Sequence, residues 1–247
     1  MSFSDHFSSL ASRYAAFRPS YPDDLFAWLA SVAPAQDAVW DCACGSGQAS
    51  KKLARYFAHV IATDASEEQL GEAEPDPKIE YRVALAEKSG LPDASVDLVT
   101  VAQAAHWFRH KEFYAEVRRV LKPKGVIALW TYDLLTLQDK KIMENLQAFF
   151  ETVEPFWPPE RAYVSSGYRT LPFPFADEIE APEMSMEVDW TLEHLMGYFR
   201  SWSSVKYYKA ENKIDPVDRI EADLKPLWPA GEARRVHFSL YVRAARV

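Results

Sequence analysis

The sequence lacks the features that mark a metal-binding or nucleic-acid-binding protein. Its two cysteines, Cys42 and Cys44, are separated by one residue. Neighbours that close rarely reach disulfide geometry, and two thiols do not complete a four-ligand zinc site. No run of Lys and Arg is longer than a pair, and the formal net charge is -8. Because nucleic acids require a cationic surface, we expect a small-molecule partner, with no nucleic acid and no metal.

Long apolar segments are also missing. The first residues have neither the basic n-region nor the apolar h-region of a secretory signal, and no uninterrupted apolar run is long enough to span a bilayer. We therefore expect a cytoplasmic protein that does not bind membranes and is a monomer or a homodimer. Its 247 residues, 48% of them hydrophobic, are enough to bury a sizeable core.

Strand and helix patterns alternate between residues 38 and 132, which predicts a parallel, doubly wound α/β sheet. The predicted strands are 38–40, 59–63, 79–83, 96–102 and 126–130. In such a sheet the carboxyl ends of the strands share one edge. Asp41, Asp64, the loop near Ala86, residues 103–106 and Tyr132 should therefore converge on one site.

The pattern changes after Tyr132. Prolines and aromatic residues interleave between 155 and 174, which predicts a rigid, packed cap instead of a linker. Two further strands are predicted at 184–190 and 236–242. The helices predicted in this part are 138–151, 191–202, 205–210 and 215–227.

The turn after the first predicted strand indicates the ligand. Gly45 and Gly47 allow the backbone to approach a ligand closely. A dinucleotide dehydrogenase would place a third glycine three residues later, but that position is Ser50. Asp41 lies four residues before Gly45, and Asp64 ends the next strand. This arrangement resembles motif I of class I S-adenosylmethionine-dependent methyltransferases.

Other segments carry the resemblance across residues 1 to about 132 and look like the trans-aconitate methyltransferase-like group of small-molecule methyltransferases. These segments are 5–7, 14–22, 40–41, 45–49, 62–66 with 69–70, 104–108 and 116–123. The resemblance implies one domain with a Rossmann-like seven-stranded sheet, mostly parallel, whose last strand is antiparallel. Its parts would be an N-terminal helical lid (1–36), a cofactor-binding core (37–132), a helical substrate cap with an additional strand (133–235) and a final strand (236–247).

The resemblance implies S-adenosyl-L-methionine as the cofactor and S-adenosyl-L-homocysteine as its product. Asp41 would hold the ammonium group of the methionine moiety, directly or through water, and Asp64 would hold the ribose hydroxyls. Arg18 would pair with a carboxylate of the cofactor or the substrate. The predicted cofactor-binding residues are Tyr14, Arg18, Asp41, Cys44, Gly45, Gly47, Asp64, Ala65, Gln69, Ala86, Glu87, Gln103 and Ala104.

Two positions depart from the family pattern. Ala43 replaces the first glycine of the motif, so the turn needs a small adjustment. Leu85 falls where the family has an aspartate, and its side chain cannot accept a hydrogen bond from the adenine amino group. We therefore expect apolar packing to hold adenine, and the affinity for the cofactor to be lower than in relatives.

Methyl transfer from a sulfonium depends on proximity and orientation and requires neither a metal nor a covalent nucleophile. A carboxylate acceptor needs no base, whereas a hydroxyl or an amine must lose a proton. His106, in the loop after the fourth strand, is the predicted catalytic residue, which would orient or deprotonate the acceptor. The predicted substrate-binding residues are Tyr21, Trp107, Tyr132 and Arg161.

The predicted function is therefore methyl transfer from S-adenosylmethionine to a carboxylate or hydroxyl of a small organic molecule. Two alternatives stay open. One is a protein that binds the cofactor without transferring its methyl group, and the other is an enzyme that methylates a macromolecule.

Overall fold

A computed structural model describes residues 17–247 of the chain. The strands are β1 (Ala38–Cys42), β2 (His59–Asp64), β3 (Ile79–Val83), β4 (Val96–Ala102), β5 (Leu121–Tyr132), β6 (Asp177–Ile179), β7 (Met184–Trp190) and β8 (Arg234–Arg246). The α-helices are α1 (Asp23–Val32), α2 (Gln48–Leu53), α3 (Glu67–Gly71), α4 (His110–Val120), α5 (Lys140–Val153), α6 (Arg161–Ser165), α7 (Leu192–Arg200), α8 (Ser203–Asn212) and α9 (Pro216–Leu224). Short 3₁₀ helices span Ala105–Trp107 and Glu154–Phe156.

The described strands form one sheet in the order β3-β2-β1-β4-β5-β8-β6, and β7 also pairs with β8. β1 to β5 run parallel to their neighbours, and β8 runs antiparallel to β5. β6 pairs with the end of β8 and β7 with its beginning. The sheet thus has the seven predicted positions, and the outermost is shared by two strands, which gives eight strands in the described residues.

Two strands extend well beyond their predicted bounds. β5 begins at Leu121, because residues 122–125 continue the strand ahead of the predicted 126–130, with Lys124 at a φ of 66°. β8 extends beyond 236–242 at both ends because it pairs with three other strands. α6 and β6 were not predicted, because five and three residues are too few to show a hydrophobic periodicity.

The central strands are buried on both faces. Val39 packs in the cluster that contains α1 and the cap helices, whereas Trp40 packs in the cluster that contains α4. Both side chains have 0% exposure, as expected when successive residues of a strand point to opposite covered faces. The indole N–H of Trp40 donates to the Thr63 hydroxyl at 2.8 Å. This packing holds the carboxyl ends of β1 and β2 side by side.

Two helices, α3 and α9, begin at residues whose side chains cap them. The Ser66 hydroxyl accepts from the backbone N–H of Gln69 at 3.2 Å, and the Asp215 carboxylate accepts from that of Val217 at 3.0 Å. Among the described helices, none combines the length and the apolar character that crossing a membrane requires.

Candidate active site

The turn between β1 and α2 has left-handed backbone at alternate residues. The φ angle is 55° at Ala43, 57° at Gly45 and 79° at Gly47. A Cβ at Gly47 would lie 2.4 Å from the Tyr81 hydroxyl oxygen, and the left-handed φ there also favours glycine. Ala43 adopts the same conformation at a cost of about 1–2 kcal/mol for an L-residue. The turn therefore packs tightly against β3 while its backbone faces the edge of the sheet.

The Asp64 carboxylate joins this turn to the end of β2. One oxygen accepts from the backbone N–H of Gly45 at 2.8 Å, and the other accepts from that of Ser66 at 2.9 Å. Such charge-assisted bonds fix the orientation of the carboxylate, which is half-buried. The ribose hydroxyls of the cofactor would contact the Asp64 carboxylate on its solvent-facing side, at the edge of the sheet.

The Asp41 side chain is turned into the protein, with 0% exposure. One carboxylate oxygen accepts from the Ser50 hydroxyl at 2.5 Å and the other from the Thr100 hydroxyl at 2.8 Å. Burial raises the pKa of Asp41 to about 6, although both hydroxyl bonds oppose that shift. Since both oxygens have internal partners, its contact with the methionine ammonium stays a prediction, and the carboxylate already ties the turn to β4.

Cys44, Ala65 and Gln69 lie around the same turn. The backbone N–H of Cys44 donates to the Thr63 carbonyl at 3.0 Å, and burial raises the pKa of the Cys44 thiol well above its usual range. Gln69 is 6% exposed, and its side-chain oxygen lies 3.6 Å from the position of a Cβ at Gly45. The cysteine is therefore a neutral side chain beside the turn.

The last residue of β3 and the segment after it present apolar side chains to solvent. Val83 is 59% exposed and Leu85 is 44% exposed. Ala86 is half-buried, and the Glu87 carboxylate accepts from the backbone N–H of Arg109 at 2.9 Å. This apolar surface, with a carboxylate directed away toward α4, suits the apolar contact predicted for adenine.

A cavity opens where β4 and β5 end beneath the cap. It has an empty volume of about 630 Å³, part of it open to solvent. Its walls combine loops at the sheet edge with side chains from the cap. The described residues that line it are Arg18, Gln103, His106, Trp107, Tyr132, Asp133, Leu134, Trp157, Pro158, Arg161, Val164, Tyr198, Trp202 and Ser203.

Gln103 fixes the loop that follows β4. Its φ is 57°, an unusual value for a residue other than glycine. Its side-chain amide donates to the Tyr132 carbonyl at 3.0 Å and accepts from the Thr131 hydroxyl at 2.6 Å. Because both ends of the amide bind β5, the half-buried Ala104 and the residues after it are held at the mouth of the cavity.

His106 lies against the cavity with 8% exposure. Its Nδ1 is 2.9 Å from the hydroxyl of Tyr168, and its ring centroid is 4.7 Å from that of Trp107. Burial, with a smaller contribution from the nearby Arg161, lowers the pKa of His106 to about 3. The imidazole is therefore neutral near pH 7 and a weak base, so the structure supports an orienting role more than deprotonation.

Two guanidinium groups flank the cavity. Arg18 donates to the Tyr132 hydroxyl at 3.3 Å and lies 5.2 Å from the ring centroid of Tyr198. Arg161 forms an ion pair with Asp133 and lies 4.9 Å from the ring centroid of Trp157. Aromatic faces thus position both cations beside the cavity.

The structure brings most of the predicted acceptor residues together. Trp107, Tyr132 and Arg161 line the cavity with His106, whereas Tyr21 does not. Tyr21 is 7% exposed and packs in the core, with its ring centroid 5.6 Å from that of Trp130. Tyr14 lies outside the described residues.

Three cap aromatics in the cavity wall were missed by sequence reasoning. They are Trp157, Tyr198 and Trp202. The sequence marks the cap as rich in aromatic residues, but no periodicity distinguishes a side chain that faces the cavity from one that packs in the core.

The sheet order, the left-handed glycine turn and the acid at the end of β2 define the Rossmann-like fold of class I methyltransferases. A family described as a methyltransferase domain matches residues 40–129. The chain belongs to the S-adenosylmethionine-dependent methyltransferases.

Relatives across nearly the whole chain support this assignment. A Dictyostelium discoideum protein named as a methyltransferase is 36% identical over 90% of this chain and 86% of its own length. An uncharacterized methyltransferase of Schizosaccharomyces pombe is 33% identical over 92% of this chain and 90% of its own.

Solved structures show the same fold. A protein from Anaeromyxobacter dehalogenans, named as a type II methyltransferase, is 43% identical with a TM-score of 0.86, covering 94% of this chain and 98% of that one. A Haemonchus contortus phosphoethanolamine N-methyltransferase, solved with phosphomonomethylethanolamine and S-adenosylhomocysteine, has a TM-score of 0.51. It is 15% identical and covers 97% of this chain and 57% of that one, so this likeness shows the fold alone.

The residues at the turn fit this cofactor. Gly45 and Gly47 leave the turn without side chains at two of its left-handed positions, and Asp64 presents a carboxylate at the same edge of the sheet. The turn and Asp64 would hold the cofactor, with Leu85 and Ala65 beside the adenine. When bound, S-adenosylmethionine supplies a methyl group on a positively charged sulfur, already activated for displacement.

Proposed function

We propose that this enzyme methylates a carboxylate or hydroxyl oxygen of a small organic molecule bound in the cavity. We also propose that it falls in the trans-aconitate methyltransferase-like group. The observation that carries the proposal is the pairing of two guanidinium groups, Arg18 and Arg161, with aromatic walls in one cavity. Pockets lined by aromatic side chains with a few placed polar groups are typical of small-molecule sites.

The chemistry of the cavity favours an anionic acceptor. A guanidinium presents a planar fork of donors that matches a carboxylate. Arg161 already shares its charge with Asp133, so an acceptor would compete with or bridge that pair. Trp107 and Tyr132 offer flat apolar surfaces that would exclude water from the bound molecule.

We further propose the division of labour implied by the sequence. Residues 1–36 would form a lid, 37–132 would bind the cofactor, 133–235 would cap the substrate and 236–247 would close the sheet. The described part of the lid supports this, since Phe17 packs against α7 so closely that a Cβ at Gly197 would lie 2.4 Å from its ring. Deleting residues 1–16 should abolish S-adenosylhomocysteine binding in calorimetry without lowering the melting temperature, and retained binding would contradict the lid.

The acceptor class can be tested by label transfer from methyl-labelled S-adenosylmethionine. Small carboxylic acids, phenols and amines are incubated separately with the purified protein, with the His106→Ala variant as the control. We expect labelled esters or ethers, and at least tenfold slower turnover with the variant while its S-adenosylhomocysteine affinity is unchanged. Labelled amines alone would overturn the proposal of an oxygen acceptor.

Two outcomes of the same screen would favour the alternatives. Tight S-adenosylhomocysteine binding with no labelled product in any class would favour a cofactor-binding protein without transfer activity. Label incorporated into added protein or RNA, but into none of the small molecules, would favour a macromolecular substrate.

A further inference from the structure

Tyr168 is a fully buried tyrosine that contacts the proposed active site from behind. It has 0% exposure, and its hydroxyl lies 2.9 Å from Nδ1 of His106, 62 residues away in sequence. It does not line the cavity itself. Its hydroxyl therefore contacts the cavity wall through His106.

The backbone at Tyr168 is held in an unfavourable conformation. Both Gly167 and Tyr168 have a φ of 60°, which costs free energy for a bulky residue such as tyrosine. A Cβ at Gly167 would lie 2.7 Å from the Tyr241 ring, so this glycine lets the segment pack against β8. The Tyr168 N–H donates to the Tyr163 carbonyl at 2.8 Å, and Arg243 donates to the Tyr168 carbonyl at 3.2 Å. These contacts hold the hydroxyl in place beneath His106.

The surroundings of the Tyr168 hydroxyl decide which partner donates. Burial raises the pKa of Tyr168, so the hydroxyl keeps its proton. Among the described residues, the hydrogen bond that the structure gives this hydroxyl is the one with His106 Nδ1 at 2.9 Å, and the Thr131 hydroxyl donates to Gln103 at 2.6 Å. Because a buried phenol proton needs an acceptor, the phenol donates its proton to His106 Nδ1.

We propose that Tyr168 is a positioning residue that fixes the ring tautomer of His106. Nδ1 accepts from the phenol, so the remaining proton sits on Nε2, and His106 presents an N–H donor to the cavity. The inference rests on the proposed function, because it assigns His106 to orienting an oxygen acceptor instead of deprotonating it. Among the described cavity residues, the carboxylate that could act as a base, Asp133, is ion-paired with Arg161.

The direct test is nitrogen NMR of the histidine rings. The wild-type protein contains six histidines, and the His106→Asn variant identifies the signals of His106 by their loss. We expect a protonated Nε2 and an unprotonated Nδ1, constant from pH 5 to pH 8. A protonated Nδ1, or a mixture of the two tautomers, would overturn the proposal without any acceptor being known.

The Tyr168→Phe variant tests the positioning role. It removes the hydroxyl and keeps the ring, and we expect both tautomers of His106 to appear. Turnover should fall about tenfold, with the S-adenosylhomocysteine dissociation constant unchanged within twofold. Tyr114→Phe is the matched control, because the Tyr114 hydroxyl is also buried but donates to the Pro172 carbonyl at 2.5 Å, away from His106. Equal loss of turnover in both variants would show a merely structural role.

The two proposals can fail separately. If Tyr168→Phe does not fold, the wild-type spectrum still decides the tautomer. If the tautomer is as expected but only amines are methylated, the proposed oxygen acceptor is wrong and the Tyr168 inference stands.

Discussion

The cofactor end and the acceptor end of this enzyme are built in different ways. Much of the proposed cofactor end lies in one stretch, from Asp41 to Asp64, whose turn is shaped by backbone conformation and internal hydrogen bonds. The acceptor end is assembled from side chains distant in sequence, such as Arg18 and Tyr132, which are 114 residues apart. The first therefore leaves a local pattern in the sequence, and the second depends on how the cap folds back.

The two ends also differ in charge. The Asp64 carboxylate lies at the turn, whereas Arg18 and Arg161 flank the cavity. A cationic cofactor and an anionic acceptor would each meet the opposite charge. The following substitutions test whether the ends are as independent as this comparison implies, from the largest expected effect to the smallest.

Gly47→Ala should break the cofactor end. The added Cβ would lie 2.4 Å from the Tyr81 hydroxyl oxygen, and the alanine would have to adopt a φ of 79°. Together, strain and overpacking should cost about 2–4 kcal/mol of unfolding free energy. We expect at least a hundredfold loss of S-adenosylhomocysteine affinity in calorimetry. Gly71→Ala, where a Cβ meets nothing within 4 Å, is the control and should leave affinity unchanged.

Asp41→Asn should change the pH dependence of stability. The pKa of Asp41 is about 6 in the folded protein, against an ordinary 3.8, so folding favours its protonated form. The stability it contributes is complete below pH 4 and is lost as the pH rises through 6, on the order of 2–3 kcal/mol.

Thermal unfolding from pH 4 to pH 8 should therefore show the wild type losing stability relative to Asp41→Asn as the pH rises. Asp24→Asn removes an exposed carboxylate, and the stability of this control variant should change with pH as that of the wild type does. If the stability of the wild type instead rises relative to that of Asp41→Asn as the pH increases, the prediction is wrong.

Arg161→Gln should weaken only the acceptor end. It removes the charge beside the cavity and releases Asp133, so the KM for an acidic acceptor found in the label-transfer screen should rise about tenfold. The dissociation constant of S-adenosylhomocysteine should not change. Arg169→Gln removes an exposed arginine outside the cavity wall and serves as the control. A loss of cofactor affinity in Arg161→Gln would show that the ends are coupled.

Leu85→Asp restores the acid that the family pattern has at this position. The side chain is 44% exposed, so a carboxylate there stays hydrated and can accept from the adenine amino group. We expect about fivefold tighter S-adenosylhomocysteine binding by calorimetry. Val83→Asp, at a 59% exposed position nearby, should give no such gain. Unchanged or weaker binding by Leu85→Asp would contradict the placement of adenine.

Ala43→Gly should give the smallest effect. Relief of a φ of 55° should stabilise the fold by up to about 1 kcal/mol, partly offset by the greater freedom of glycine in the unfolded chain. Ala94→Gly, at a φ of 48° far from the turn, should gain similar stability. Denaturant titration compares the two, and only Ala43→Gly should alter cofactor affinity.

The sequence allowed prediction of the part of the site that backbone geometry creates. Gly45, Gly47 and the strand-end acid Asp64 could be located because spacing along a strand, a turn and a helix fixes their places in space. The burial of Asp41 could not be predicted, because it depends on Ser50 and on Thr100, which lies on another strand.

The acceptor end resisted prediction for the same reason. Trp157 and Trp202 line the cavity, whereas Tyr168 lies behind it, although all three are aromatic residues of one cap. Tyr21 was predicted to bind substrate but packs in the core. The way the cap helices dock on the sheet decides whether each side chain faces the cavity or the core. That docking leaves no pattern in the neighbouring sequence.

The cap leaves and re-enters the sheet at neighbouring points. β5 ends at Tyr132, which is paired with Leu240 of the returning β8, and the bridge between Thr136 and His237 closes the base of the excursion. A segment anchored this way can change length and composition while its endpoints stay fixed. We therefore expect the helices of this segment to tolerate change more readily than β6 and β7, which pair with β8. Proteins that share this sheet could then acquire new acceptors by altering those helices while their cofactor turn stays the same.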